Sequence, residues 1–247
     1  MSELFSIQLQ NRQQQGRDGV WLDLPTTTEQ VQAALRQIGI SSDNPQGLFI
    51  SGYFAEEEKR FAISYNMVLA SNVDELNFLA SRLETLSTGE RAELNAALQA
   101  PQSELFSIGR ITDFPENVDY YVHLPDVHGP AQLGDYYLNR SGMVDMPEEW
   151  KGGIDTAQFG RYVAQQEQGV FTEYGYLVKS GDAWQKVHEG QPVPEEYRVL
   201  SFPAPEVLRD SANIPPPVQP ETEPQKVIPI ILNGKDSVER MKEITDR

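Results

Sequence analysis

The stretch Val20-Trp21-Leu22-Asp23-Leu24-Pro25, running directly into Thr26-Thr27-Thr28, decides how this 247-residue chain is read. Val20–Leu24 reads as a β-strand stopped by a proline, which has no N–H to give to a ladder. The three threonines then offer helix N-caps. Val31, Ala34, Leu35 and Ile38 follow at i, i+3, i+4 and i+7, the spacing of one buried helix face, before Gly39 ends the run. Upstream, Leu4–Gln10 carries Leu4, Ile7 and Leu9 and reads as a neighbouring strand; downstream, Gly47–Phe54 reads as a third. Residues 1–60 are therefore expected to form a small α+β part.

Farther along, Phe61–Leu69 fits either a strand or a helix. Asn72–Leu86 is a clear helix, with Val73, Leu76, Leu79, Ala80 and Leu83 as its stripe and Asn72 as its cap. Ser87-Thr88-Gly89-Glu90 restarts a helix through Leu94 and Leu98 to Pro101, so residues 61–102 are expected to form a helical middle part. Residues 103–202 predict a second α+β part. Its strands fall at Glu104–Ile111 and Asp119–Leu124 and its helices at Ala131–Arg140 and Asp155–Gln166. Val170–Lys179 and Ala183–Val187 would close a sheet around a turn at Ser180-Gly181. Residues 203–247 read as a Pro-rich tail: a linker containing Pro215-Pro216-Pro217, then a short helix over Ser237–Arg247. The hexapeptide Ser2-Glu3-Leu4-Phe5-Ser6-Ile7 recurs as Ser103-Glu104-Leu105-Phe106-Ser107-Ile108. In each case a strand ending in proline comes after it at nearly the same distance, so the two α+β parts read as copies of one strand–strand–helix module.

Charge bounds the function. The chain has 37 Asp and Glu against 20 Lys and Arg, a net charge of −17. The excess is −6 over residues 1–100, −9 over 101–200 and −2 over 201–247, so it lies in the body of the chain and not in an acidic tail. A field of this sign repels nucleic acid and anionic lipid, and direct nucleic-acid binding is not expected. With 39% hydrophobic residues and a mean hydropathy of −0.48, the chain reads as folded with a wet surface. No apolar stretch approaches the roughly 20 residues of a membrane span, and the N-terminus lacks the basic and apolar regions of an export signal. A cytoplasmic location is the expectation. The absence of cysteine excludes disulfides, thiolate metal sites and cysteine nucleophiles.

Catalytic signals are weak. His123, Asp126 and His128 lie close enough in sequence for a metal, but Pro125 and Gly129-Pro130 make the segment a polar turn with no helical presentation of ligands. Neither a metal nor any other cofactor is expected. Glu148-Glu149 offers paired carboxylates, yet beside Pro147 and Trp150-Lys151-Gly152-Gly153 the pair reads as an exposed edge. Phosphate-binding loops, serine-nucleophile elbows and zinc-protease motifs do not occur. An enzyme is not the expected class.

Gly19–Pro25 with the helix ending at Ile38-Gly39-Ile40, followed by Val73-Asp74-Glu75-Leu76-Asn77-Phe78-Leu79-Ala80, resembles the ArdA family of antirestriction proteins. Asp119-Tyr120-Tyr121-Val122, Leu133-Gly134-Asp135-Tyr136-Tyr137, Phe159-Gly160-Arg161 and Gly169-Val170-Phe171-Thr172-Glu173-Tyr174-Gly175-Tyr176 are similar to the family's later signatures in the same order. The resemblance implies an elongated three-part protein, usually a homodimer, that mimics bent B-form DNA. Such a protein occupies the DNA-binding groove of type I restriction-modification enzymes, and no catalytic residue carries over. Asp74, Glu75, Glu84, Glu90, Glu93, Asp113, Glu116, Asp119, Asp126, Asp135, Asp145, Glu148, Glu149, Asp155, Glu167 and Glu173 are the acids expected to form the DNA-mimic surface. Carboxylates four apart on a helix lie about 6 Å apart, and two apart on a strand about 6.7 Å. Duplex DNA carries a charge every ~1.7 Å of axis, so the copy is sparse and must rely on shape as well. Two rival readings stand beside it: an acidic interaction module for another basic partner, and a carboxylate-based hydrolase. Val227–Leu232 and Ser237–Arg247 weakly resemble the lead-in to an ArdC-type domain of larger mobile-element proteins, which raises the expectation that the chain is a fragment.

Overall fold

A computed structural model of the chain describes residues 3–14, 18–41 and 47–200; the readings placed on the tail at 203–247 lie outside the described residues. The fold is α+β with antiparallel sheets, and the chain forms two compact units. Among the described residues, one unit combines the segment up to Arg60 with Ser64–Glu84 and 192–200; the other combines Phe61–Ile63 with Thr85–Gln191.

In the first unit, β1 (Phe5–Asn11), β2 (Val20–Leu24) and β3 (Leu48–Phe54) form a sheet in the order β2-β1-β3. Phe5, Ile7 and Leu9 alternate onto one face with Leu22, Leu24 and Ile50, and all six are buried. The helix α1 (Thr28–Gln37) begins in a capping box, where the Thr27 hydroxyl accepts from the N–H of Gln30 and the Gln30 side chain accepts from the N–H of Thr27. Its stripe of Val31, Ala34 and Leu35 is buried. The region ambiguous in sequence holds a short helix, α2 (Tyr65–Leu69), and α3 (Val73–Leu83) starts in a second capping box made by Asn72 and Glu75. Asn77 is buried on α3, accepting from the N–H of Thr26 at 2.7 Å and donating to the carbonyl of Tyr197 at 2.9 Å. One polar side chain thus ties Thr26, ahead of α1, to Tyr197, which lies 120 positions after Asn77 in sequence.

The second unit opens with α4 (Thr88–Gln99), capped by Ser87 and Glu90, and α5 (Ile108–Thr112). After β4 (Tyr121–Leu124), α6 (Pro130–Asp135) widens into a π-type turn over Tyr136–Arg140. The short α7 (Glu148–Lys151), α8 (Thr156–Glu167), β5 (Val170–Thr172) and β6 (Gly175–Lys179) complete the unit, and the sheet order is β4-β6-β5. Its core gathers Val122, Leu124, Leu133, Tyr137, Val163 and Tyr176. α6 and α8 cross backbone to backbone: a Cβ on Gly134 would run into the carbonyl of Thr156, and one on Gly160 into that of Pro130.

Four expectations are corrected here. Glu104–Ile111 is not a strand: the Ser107 hydroxyl accepts from the N–H of Arg110 and starts α5, leaving Phe106 63% exposed where its counterpart Phe5 is buried. After the identical hexapeptide, Gln8-Leu9-Gln10 continues a strand alternation. Gly109-Arg110-Ile111 instead places Leu105, Ile108 and Ile111 at helical spacing. The duplicated module falls with it, because β4 pairs with β6 whereas β2 pairs with β1. Ala183–Val187 forms no strand either. Asn117 takes both backbone groups of Gln185, its amide donating to the carbonyl at 2.9 Å and its oxygen accepting from the N–H at 2.7 Å, so a side chain replaces the ladder. The hairpin turns at Glu173-Tyr174 and not at Ser180-Gly181; Gly175, at φ 120°, permits the turn beside the carbonyl of Leu124.

Candidate functional site

Several acids expected on the surface are engaged inside. Asp113 is completely buried, and its two oxygens accept from the N–H groups of His188 (2.6 Å) and Glu189 (3.2 Å). It is therefore removed from the surface set: a carboxyl side chain at this depth is tolerated because backbone donors face it. Asp74 accepts from the N–H groups of Val199 and Leu200 with one oxygen, at 2.7 and 2.8 Å. Burial raises its carboxyl above the usual range, outweighing those hydrogen bonds and the charge of Arg198. Glu75 and Glu90 close their capping boxes on the N–H groups of Asn72 and Ser87. Glu167, at the end of α8, receives the hydroxyls of both Tyr137 and Tyr176, one on each oxygen. Burial pushes this carboxyl upward against the two phenol donors and raises both phenols as well. Glu84, Glu93, Glu116 and Asp135 are half-buried; the Asp135 carboxylate lies 3.2 Å from Arg140 and accepts from Asn139 at 2.8 Å.

The exposed members are Asp119, Asp126, Asp145, Glu148, Glu149, Asp155 and Glu173, all in the second unit. Asp155 also caps α8 by accepting from the N–H of Gln158, and Glu173 accepts from the side chain of Gln99. Three cations of this unit, Arg110, Lys179 and Lys186, are drawn onto other carboxylates. Arg110 is buried, with Nη1 3.0 Å from Glu104 and Nε 3.0 Å from Glu189, its guanidinium 4.5 Å from the centre of the Phe106 ring. Lys179 lies 2.8 Å from Glu104 and Lys186 3.4 Å from Glu189. Burial works to raise the Glu104 carboxyl, but the hydrogen bond and charge of Lys179, with Arg110, hold it below the usual range. Lys151 sits 2.6 Å from Glu148. Glu104 and Glu189 are not among the acids expected from sequence: Arg110 and Lys186 lie near them in the chain, but the partners that complete each pairing, Lys179 for Glu104 and Arg110 for Glu189, lie 75 and 79 residues away.

His123 is buried on β4 with Nε2 2.7 Å from the carbonyl of Tyr174, and burial lowers its pKa, outweighing that hydrogen bond; His128 and Asp126 stay exposed on the loop. Among the described residues, no three His, Asp or Glu side chains come together as a metal ion requires, and no helix is long and apolar enough to cross a membrane.

Comparison with curated proteins gives no match. A family model described as antirestriction protein (ArdA) matches residues 15–178, from just ahead of β2 to β6, and so takes in elements of both units. With the greater part of the sequence accounted for by one family, the chain belongs to the ArdA antirestriction proteins.

Proposed function

We propose that the chain acts as a DNA mimic that inhibits type I restriction-modification enzymes by occupying their DNA-binding groove. The observation that carries this reading is the sorting of charge in the second unit. Arg110, Lys179 and Lys186 are held by Glu104 and Glu189, while Asp119, Asp126, Asp145, Glu149, Asp155 and Glu173 face solvent. A groove built to neutralise phosphates with Lys and Arg meets carboxylates in their place. The protein works in the cytoplasm, as a homodimer of three-part, elongated protomers, and binds no nucleic acid itself.

The test is titration of the purified full chain into a type I restriction assay at increasing DNA concentration. Inhibition should be overcome by DNA and should weaken as salt rises, because the contacts are largely screened charges. Inhibition that DNA cannot relieve would assign the acidic surface to a different partner. Product formation from a candidate ester or glycoside by the chain alone would support the hydrolase reading instead.

A further inference from the structure

The outer face of the β2-β1-β3 sheet presents aromatic rings to solvent. The register places Trp21, Gln8 and Gly52 in one cross-strand row and Asp23, Ser6 and Phe54 in the next, all on the face opposite the core. Trp21 is 49% exposed and Phe54 57%, and their rings meet edge to face with centroids 6.4 Å apart. The indole lies across β1: a Cβ on Gly52 would stand 3.0 Å from Trp21 Cη2, so the missing side chain at 52 is what leaves room for it. Carboxylates border the rings. Asp23 is exposed and accepts from the Ser6 hydroxyl at 2.9 Å, the Glu3 carboxylate lies 3.4 Å from the same hydroxyl, and Glu56 flanks Phe54 in a shallow depression. The cation of that depression, Lys59, is 3.0 Å from Glu56.

Exposed aromatic faces edged by carboxylates match one side chain closely. A guanidinium is planar and weakly hydrated; it stacks on an indole while its N–H fork meets a carboxylate. An ammonium is a compact, strongly hydrated charge and gains less from the ring. We propose that this face is a docking platform for an arginine of a basic protein segment, with the guanidinium stacked on Trp21 beside Phe54 and donating to Asp23. The sheet holds the rings before the partner arrives, so little side-chain freedom is lost on binding. This goes beyond mimicry of DNA, and it stands whether the basic partner is a restriction enzyme or another protein.

The experiment tracks the three indole N–H resonances of the full chain by NMR, assigned from single Trp→Phe variants of Trp21, Trp150 and Trp184. A short capped Arg-Gly repeat peptide is titrated at about 0.15 M salt, where the Debye length is about 8 Å, and the corresponding Lys-Gly peptide serves as the control. The Trp21 resonance should move to saturation while those of Trp150 and Trp184 stay still. The arginine peptide should bind about fivefold tighter than the lysine peptide. Asp23→Asn, followed at the Trp21 resonance, and Trp21→Leu, followed by the fluorescence anisotropy of the dye-labelled arginine peptide, should each weaken binding about fivefold or more, with the fold retained as judged by the Trp150 and Trp184 resonances. Equal movement of all three indoles, equal affinity for the two peptides, or no movement at Trp21 would overturn the proposal. So would a Trp21 resonance that shifts with protein concentration alone, which would assign the face to a second copy of the chain.

Discussion

Asp113 and Asp119 stand six residues apart, and nothing in their neighbours separates them, yet one is fully buried and the other exposed. The difference is made by the backbone of His188 and Glu189, brought against Asp113 from more than seventy residues away. Asp113→Ala leaves two buried N–H groups without acceptors and should cost roughly 2–5 kcal/mol, measured by denaturant unfolding. Asp119→Asn should stay within about 0.5 kcal/mol. Glu167 gives a prediction in pH. Burial holds its carboxyl above the ordinary range, so the folded protein binds that proton more readily than the unfolded chain. Its contribution is complete below the ordinary carboxylate value and is lost as pH rises through the raised one. Glu167→Gln removes the titration. Its Tm relative to wild type should therefore climb as pH rises above the ordinary carboxylate value of about 4.3; a difference independent of pH would mean the site does not titrate.

Elements whose signals are local are legible in the sequence. β2 and α1 come from the proline stop, the threonine caps and the stripe of Val31, Ala34 and Leu35, and α3 and α4 from Asn72–Glu75 and Ser87–Glu90. The segment after Ser103 is not, because six residues identical to a strand are overridden by the Ser107 cap and by Ile111, which follows Ile108 at the spacing of a helical turn, against the intrinsic preferences of Gly109 and Ile111. Ala183–Val187 reads as a strand for a different reason, since the acceptor and donor that replace its ladder belong to Asn117, far away in the chain. The sorting of acids is largely illegible for the same cause: capping acids such as Glu75 are local, whereas Asp74, Asp113 and Glu104 are set by distant partners. The crossing of α6 and α8 depends on two glycines, Gly134 and Gly160. Gly160→Ala forces its Cβ into the carbonyl of Pro130 and should destabilise by about 1–3 kcal/mol or more, despite the better helix propensity of alanine. An unchanged or raised Tm would show that the two helices separate without cost.

At the scale of the molecule, a charge of −17 is delivered as many weak contributions and not through one anchor. Exposed ion pairs are worth about 0.2–1 kcal/mol each, so neutralising any single exposed acid should change inhibition only about two- to fivefold. Together they should add, because they share one field. The decisive measurement is the affinity for a type I enzyme of a variant in which Asp119, Asp126, Asp145, Glu148, Glu149, Asp155 and Glu173 are all changed to their amides, taken at low and at physiological salt. With wild-type Tm retained, the variant should bind roughly a hundredfold or more weakly at low salt and show a much flatter salt dependence than wild type. A folded variant that binds as tightly as wild type, with the same salt dependence, would contradict the claim that these carboxylates stand in for phosphates.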